Sequence, residues 1–143
     1  MPKGKSARAR RNKSTLMNKL DRVFSRYIRM RDADQDGQVT CVTCGKIAYW
    51  KDVDAGHYIK RQHMMTRWDA RNCAAQCRKC NRFAGGAMDE FALHITTKYG
   101  AETLAELMRL KRIAKKWCED DLQALIDSYE SAARECEARM LPV

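Results

Sequence analysis

The apolar residues of this chain recur with a helical period at both ends and with a shorter, strand-like period between them. Leu16, Leu20, Val23, Tyr27 and Met30 step by four, three, four and three. That stripe predicts a helix opening at Ser14 or Thr15, both good N-caps, and running to about Asp32. A matching stripe, Leu122, Ile126, Tyr129, Ala133, Cys136 and Met140, predicts a last helix over about 119–140. Both also read as short heptad seams. They fit packing on each other within one chain or pairing across a homodimer.

Shorter elements lie between the two helices. A strand is expected at Gln38–Val42, and 46–59 is strand-like, with Ile47, Tyr49, Trp50, Val53, Tyr58 and Ile59. Residues 60–71 form a polar, basic loop, and 72–76 a short extended piece. A helix follows from about Arg78 and is interrupted by Gly85-Gly86. Further helices are expected over 87–98, closed by Tyr99-Gly100, and over 102–116. The pattern describes an α+β protein that is mainly helical. Asp32, Asp34 and Asp36 with Gly37 match the first half of a calcium-binding loop. Its twelfth position, however, is Thr43, where a bidentate Glu is needed. The segment reads as an acidic turn into the first strand.

Charge changes the picture. The chain has 143 residues, with 28 Lys plus Arg against 18 Asp plus Glu, and a net charge of +10. Residues 1–20 carry +7, residues 21–100 carry +5 and residues 101–143 carry −2. The organisation expected is a flexible basic arm over 1–13, a core over 14–100 and a helical extension over 101–143. Lys3, Lys5, Arg8, Arg10, Arg11 and Lys13 of the arm suit contacts to phosphates, with DNA the polyanion expected. Nothing approaches a membrane span or a secretory signal, so a cytoplasmic setting with reduced thiols is expected. The acidic C-terminal helices should face away from DNA.

Seven cysteines fit poorly with a closed disulfide framework. Cys41-Val-Thr-Cys44 and Cys77-Arg-Lys-Cys80 are two C-x2-C knuckles, and four thiolates satisfy a tetrahedral, structural zinc ion. The other reading is a set of buried, unligated cysteines. Cys73, Cys118 and Cys136 are left over and read as small core residues.

The knuckles bracket Asp54-Ala-Gly-His57-Tyr, Arg61, His63, Thr66-Arg67-Trp68-Asp69 and Asn72, and Asn81 directly follows Cys80. Carboxylate, His, Asn and zinc knuckle in this order resemble the HNH, or His-Me finger, nuclease core. A phage junction-cutting endonuclease, endonuclease VII, is similar in its two C-x2-C knuckles and in the metal-binding Asn after the last Cys. Residues 41–100 resemble most the NinG (Rap) family of lambdoid phage recombination endonucleases, from the Cys-Val-Thr-Cys-Gly knuckle to Tyr99-Gly100.

The resemblance implies a ββα-metal core carrying a zinc site, flanked by N- and C-terminal helices. It implies Mg²⁺- or Mn²⁺-dependent cleavage of branched DNA, such as four-way junctions and D-loops, leaving 5′-phosphate and 3′-hydroxyl ends in the host cytoplasm. His57 would be the general base. Asn72 would orient His57 or pin the loop. Asp54 and Asn81 would hold the catalytic cation, and Arg61, His63 and Arg67 would contact DNA. Many HNH enzymes place a metal carboxylate directly before the His, where this chain has Gly56. Asp54 lies three residues before His57, so on a regular strand the two point to opposite faces unless the strand bulges. The readings left open are an HNH nicking enzyme without branch preference and a non-catalytic zinc DNA-binding module.

Overall fold

The computed structural model describes residues 7–83, 85 and 87–142. Its central element is a long helix, α1 (Ala7–Arg31), against which the last helix and the second hairpin pack. Strands β1 (Gln38–Thr40) and β2 (Ile47–Tyr49) form one antiparallel hairpin. Strands β3 (Asp54–His57) and β4 (Cys73–Gln76) form a second. Helices α2 (Arg78–Arg82), α3 (Met88–Tyr99), α4 (Ala101–Lys111) and α5 (Glu119–Ala138) follow. The mixed, mainly helical architecture agrees with the sequence pattern.

The two end stripes pack on each other inside the chain. Leu20, Phe24 and Ile28 of α1 form one buried cluster with Leu122 and Ile126 of α5, closed by Trp68 and Cys73. The Phe24 and Tyr129 rings meet edge to face at 4.9 Å between centroids. Lys19–Glu130 and Arg26–Glu137 pair along the exposed rim. With the seams consumed in this way, the stripe argument for a homodimer lapses. On α1 the buried face runs through Phe24 and Ile28 rather than through Val23, so the stripe read from the sequence lies about one position away from the true centre.

Three boundaries depart from expectation. The first helix begins at Ala7 rather than Ser14, because Ala and Arg at 7–11 are strong helix formers and continue it outward. Arg8, Arg10, Arg11 and Lys13 are therefore helical rather than part of a flexible arm; Lys3 and Lys5 lie outside the described residues. The strand-like stretch 46–59 is cut by a 3-10 turn at Trp50–Asp52, which buries the Trp50 indole beside Val39 and Val53. Helix α4 stops at Lys111 instead of 116. The chain leaves it so that Trp117 can reach the loop between β3 and β4, where its indole N–H donates to the Met64 carbonyl at 3.1 Å. Cys118 is exposed and caps α5 by accepting the Asp121 amide, whereas Cys73 and Cys136 are buried as expected.

The end of α1 clamps the second hairpin. Arg31 donates to the carbonyls of Ala70 and Cys73, each at 2.7 Å, and pairs with Asp32. Asp32 accepts the Ala75 amide at 2.7 Å. The acidic turn is likewise occupied with backbone: Asp34 accepts the Asp36 and Gln38 amides.

Candidate active site and metal centre

The two knuckles meet because Val42 donates its amide to the Ala75 carbonyl, which ties the first knuckle to β4 just ahead of the second. The Sγ atoms of Cys41, Cys44, Cys77 and Cys80 all lie within 4.8 Å of one another, and those of Cys44 and Cys77 are 3.8 Å apart. A tetrahedron with Zn–S bonds of about 2.3 Å has edges of about 3.8 Å, so the spacing suits zinc. Backbone amides are aimed at the sulfurs: Thr43 and Cys77 donate to Cys41, and Cys80 donates to Cys77. Burial alone would raise the Cys41 thiol, but amides of Cys44, Cys77 and Thr43 outweigh it and bring it down to about 7. Cys80 goes the other way, to about 12, through burial and the surrounding sulfurs. These four cysteines could hold a structural zinc ion.

Directly after the second knuckle, α2 carries Asn81 to the start of β3. Its Nδ2 donates to Asp54 Oδ2 at 2.9 Å, and Arg82 grips the same carboxylate at 2.9 and 3.0 Å. The β3–β4 ladder runs unbroken from Asp54↔Gln76 to His57↔Cys73, so no bulge brings Asp54 toward His57. Asp54 instead reaches α2 from the strand's first position, and both Asp54 and His57 border one open cleft of about 930 Å³. Gly56 has a steric cause. A Cβ there would lie 2.2 Å from Gln76 Oε1, which leaves no room for a carboxylate at that position.

His57 is half-buried. Its Nε2 sits 2.8 Å from the Arg67 carbonyl, which can only accept, so Nε2 carries the proton and Nδ1 is the basic nitrogen. Burial lowers the imidazole below its ordinary value and Arg61 adds to this, against the opposing Arg67 carbonyl, Asp21 and the Ala55 backbone. The ring is therefore neutral at pH 7.

The Asn72 side chain directs its hydrogen bonds away from His57. It is fully buried and pins the loop: Oδ1 accepts the Ile59 amide at 2.8 Å, and Nδ2 donates to the Ile59 and Thr66 carbonyls at 3.0 and 3.1 Å. Of the two roles left open by the sequence, loop-pinning is the one its contacts describe. Arg61 borders the cleft, while Arg67 is turned onto Asp21 and is largely buried. His63 does not line the cleft; its backbone carbonyl accepts the Thr66 amide and hydroxyl in the loop turn.

Sequence reasoning missed Asp21. Its carboxylate accepts from Arg67 at 2.6 and 3.1 Å, from the Trp68 indole at 2.9 Å and from Arg61 at 2.7 Å. Burial would raise its carboxyl, but the Arg67 and Trp68 hydrogen bonds and the Arg67 and Arg61 charges hold it below the ordinary value. Asp21 is the lone acidic residue of a helix that is otherwise strongly basic, and that is the signal the sequence offers. Arg22, Arg26 and Arg29 were also missed. They step by four and three alongside the apolar stripe and line the same cleft with Lys60 and Arg61. The balance of −2 over 101–143 likewise conceals Arg109, Lys111, Arg112, Lys115 and Lys116. Trp117 docks this run against the loop that carries Arg67, with Trp68 and Trp117 edge to face at 5.9 Å.

Hairpin, knuckles and cleft together define a mixed, mainly helical protein. In it, a four-cysteine cluster that could hold a metal ion sits beside a His/Asn/Asp-bearing hairpin that borders a basic cleft. The family model described as "Bacteriophage Lambda NinG protein" matches residues 3–139, and the chain belongs to that family. It is 25% identical over 126 residues to protein ninG of Escherichia phage 933W and, equally, to that of Enterobacteria phage VT2-Sa, covering 86% of this chain and 59% of each relative. Protein ninG of Salmonella phage P22 is 24% identical over 126 residues, covering 86% of this chain and 58% of the relative. The chain thus spans less than two thirds of the curated relatives' own length. No solved structure matches it. Among the described residues, no helix is long and apolar enough to cross a membrane.

Proposed function

We propose that this chain is a metal-dependent DNA endonuclease that hydrolyses phosphodiester bonds in branched recombination intermediates such as four-way junctions and D-loops. The observation that carries the reading is the convergence of His57 and the Asp54–Asn81 pair on one basic cleft. An antiparallel hairpin followed directly by a short helix, with the His on the first strand and the Asn on the helix, agrees with the ββα core that the HNH resemblance implies.

The chain's own groups supply base and orientation. With Nε2–H donated to the Arg67 carbonyl, His57 Nδ1 is the atom that would take a proton from the attacking water. Half-burial keeps the ring neutral and ready to accept it. Asn72 fixes the loop that presents the Arg67 carbonyl. Arg22, Arg29, Lys60 and Arg61 would engage the DNA backbone along the cleft.

Asp54 and Asn81 offer one carboxylate and one amide oxygen, a hard donor set that suits Mg²⁺ or Mn²⁺. To hold the cation, the Asn81 amide must turn its oxygen inward and the exposed Arg82 must swing off Asp54. When bound, a divalent cation there would stabilise charge on the phosphate and on the leaving oxygen.

The branch preference rests on the family resemblance. The basic run 109–116, beside the same loop, offers a second strip for a second duplex arm. The working compartment would be the host cytoplasm.

Cleavage of junction, fork and linear duplex by wild-type protein and by His57→Ala, each with Mg²⁺ and with chelator, tests the reading. Wild type should cut junctions in Mg²⁺ only, and His57→Ala should bind DNA and zinc but lose about 10²–10⁴-fold in rate. Cleavage by His57→Ala at the wild-type rate would remove the base. Equal cutting of linear duplex would remove the branch preference. DNA binding without any cleavage would leave a zinc DNA-binding module.

A further inference from the structure

Asp21 stands outside the hairpin, the knuckles and the motif residues, yet it is the hub of the loop that faces His57. Its Oδ1 accepts from Arg67 Nε at 3.1 Å and from the Trp68 indole at 2.9 Å, and its Oδ2 accepts an Arg67 guanidinium nitrogen at 2.6 Å. Arg67, held on two sides, offers its backbone carbonyl to His57 Nε2 at 2.8 Å. The Arg67–Asp21 pair is largely shielded from solvent, with side chains about one-sixth exposed, so it is screened less than a surface pair. We infer that Asp21 is a positioning residue for His57: through Arg67 it fixes the carbonyl that holds the imidazole with its proton on Nε2 and its lone pair on Nδ1.

The arrangement follows the general logic of an activated base oriented by a third group. Here the carboxylate acts at one remove, through a backbone carbonyl. It also gives α1 a part in the chemistry. The same helix also places the Phe24 ring near His57, tilted, 6.0 Å between centroids. Asp21 thus fixes the hydrogen-bonding edge of the ring, and Phe24 of the same helix is its aromatic neighbour. Arg61 shares Asp21 Oδ2 at 2.7 Å and is more than half exposed, so it can exchange toward a phosphate without releasing Arg67.

The kinetic part of this inference rests on the nuclease reading; the ring tautomer does not. ¹⁵N NMR of the imidazole in the full, zinc-loaded chain reads the tautomer directly. Wild type should show His57 protonated on Nε2. Asp21→Ala should mix the tautomers and lower kcat at least about 10-fold with KM little changed, while zinc content is retained. Should Asp21→Ala fail to fold, Arg67→Gln is the deciding variant, because it keeps the backbone carbonyl and removes the guanidinium tie to Asp21, together with its contacts to the Arg61 carbonyl and the Trp68 ring. It should give the same mixed tautomers. A wild-type Nε2–H signature in a folded Asp21→Ala protein, or in Arg67→Gln, overturns the inference. If wild type cleaves no DNA but the tautomer shifts as expected, the nuclease reading fails and the positioning role of Asp21 stands.

Discussion

The side-chain amide of Asn81 donates to the Asp54 carboxylate at 2.9 Å, joining the residue after the last cysteine to the first residue of β3. The two are 27 positions apart in sequence, and the cysteine cluster brings them together. Val42 ties the first knuckle to β4, Cys80 holds α2, and α2 delivers Asn81. Removing the amide leaves Arg82 as the remaining side-chain partner of Asp54 and deletes one hard donor. Asn81→Ala should therefore raise the Mg²⁺ concentration for half-maximal cleavage several-fold and slow turnover. A titration of rate against Mg²⁺ that overlays wild type would exclude Asn81 from the cation site.

On the proposed nuclease reading, the pH dependence of cleavage should follow from the surroundings of His57. Burial lowers its imidazole below the ordinary 6.5, Arg61 lowers it further, and the Arg67 carbonyl and Asp21 partly restore it. A general base works when neutral, so the acid limb of kcat/KM should have its midpoint below about 6.5. Stability obeys the same sign. The unfolded chain binds the His57 proton more readily, so His57 costs nothing well above about pH 6.5. Stability is then lost as pH falls from about 6.5 toward the lower native value. A pH–rate profile and urea titrations across that window check both. A limb above the ordinary imidazole value would contradict the neutral, half-buried ring.

Cys44 and Cys118 are both exposed, but only Cys44 lies in the sulfur cluster. Cys44→Ser should reduce bound zinc below one per chain and lower the melting temperature by about 10 °C or more, because structural zinc contributes its binding energy to folding. Cys118→Ser should leave zinc content unchanged, since a hydroxyl can accept the Asp121 amide equally well. Zinc analysis and thermal melts of the two variants form an internally controlled pair.

Much of this arrangement is legible in the sequence, and its gaps have physical causes. The knuckles are readable because zinc demands thiolates at fixed spacing, and the end helices because burial imposes a period. The α1 register is harder to read because Phe24 and Ile28 lie beside the stripe on the same broad face, which only the partner helix selects. The break at Trp50 is a tertiary effect, since burying one indole outweighs the propensity of a β-rich stretch. Asp21 cannot be ranked among 18 acidic residues, because its importance comes from Arg67 and Trp68, 46 and 47 positions away. The basic run at 109–116 is hidden when averaged with the acidic first turn of α5.

Ile126 is fully buried between α1 and α5. Ile126→Ala should cost about 2–5 kcal/mol by leaving a cavity that the two helices close only partly. Because the seam is satisfied within one chain, the midpoint of unfolding should not depend on protein concentration in wild type or variant. A midpoint that rises with concentration would mean that a second copy contributes to the same core.

The run at 109–116 yields a salt-dependence prediction that separates phosphate binding from solvation. None of its five basic side chains forms an ion pair among the described residues, whereas Arg61, Arg67, Arg71 and Arg82 each hold a carboxylate. Lys115 lies over the Trp117 ring at 4.6 Å and helps hold the run in place. Lys111, Arg112 and Lys116 are exposed and can be changed without disturbing that anchor. Replacing all three by Gln should weaken junction binding and flatten log K against log salt by about 0.9 for each phosphate left unneutralised, while zinc content and melting stay as in wild type. Linear duplex too short to reach both cleft and run should be weakened less. If the triple variant keeps the wild-type salt slope on junctions, the run is only a solvated turn, and phosphate binding must be sought on Arg22, Arg29, Lys60 and the N-terminal arginines of α1.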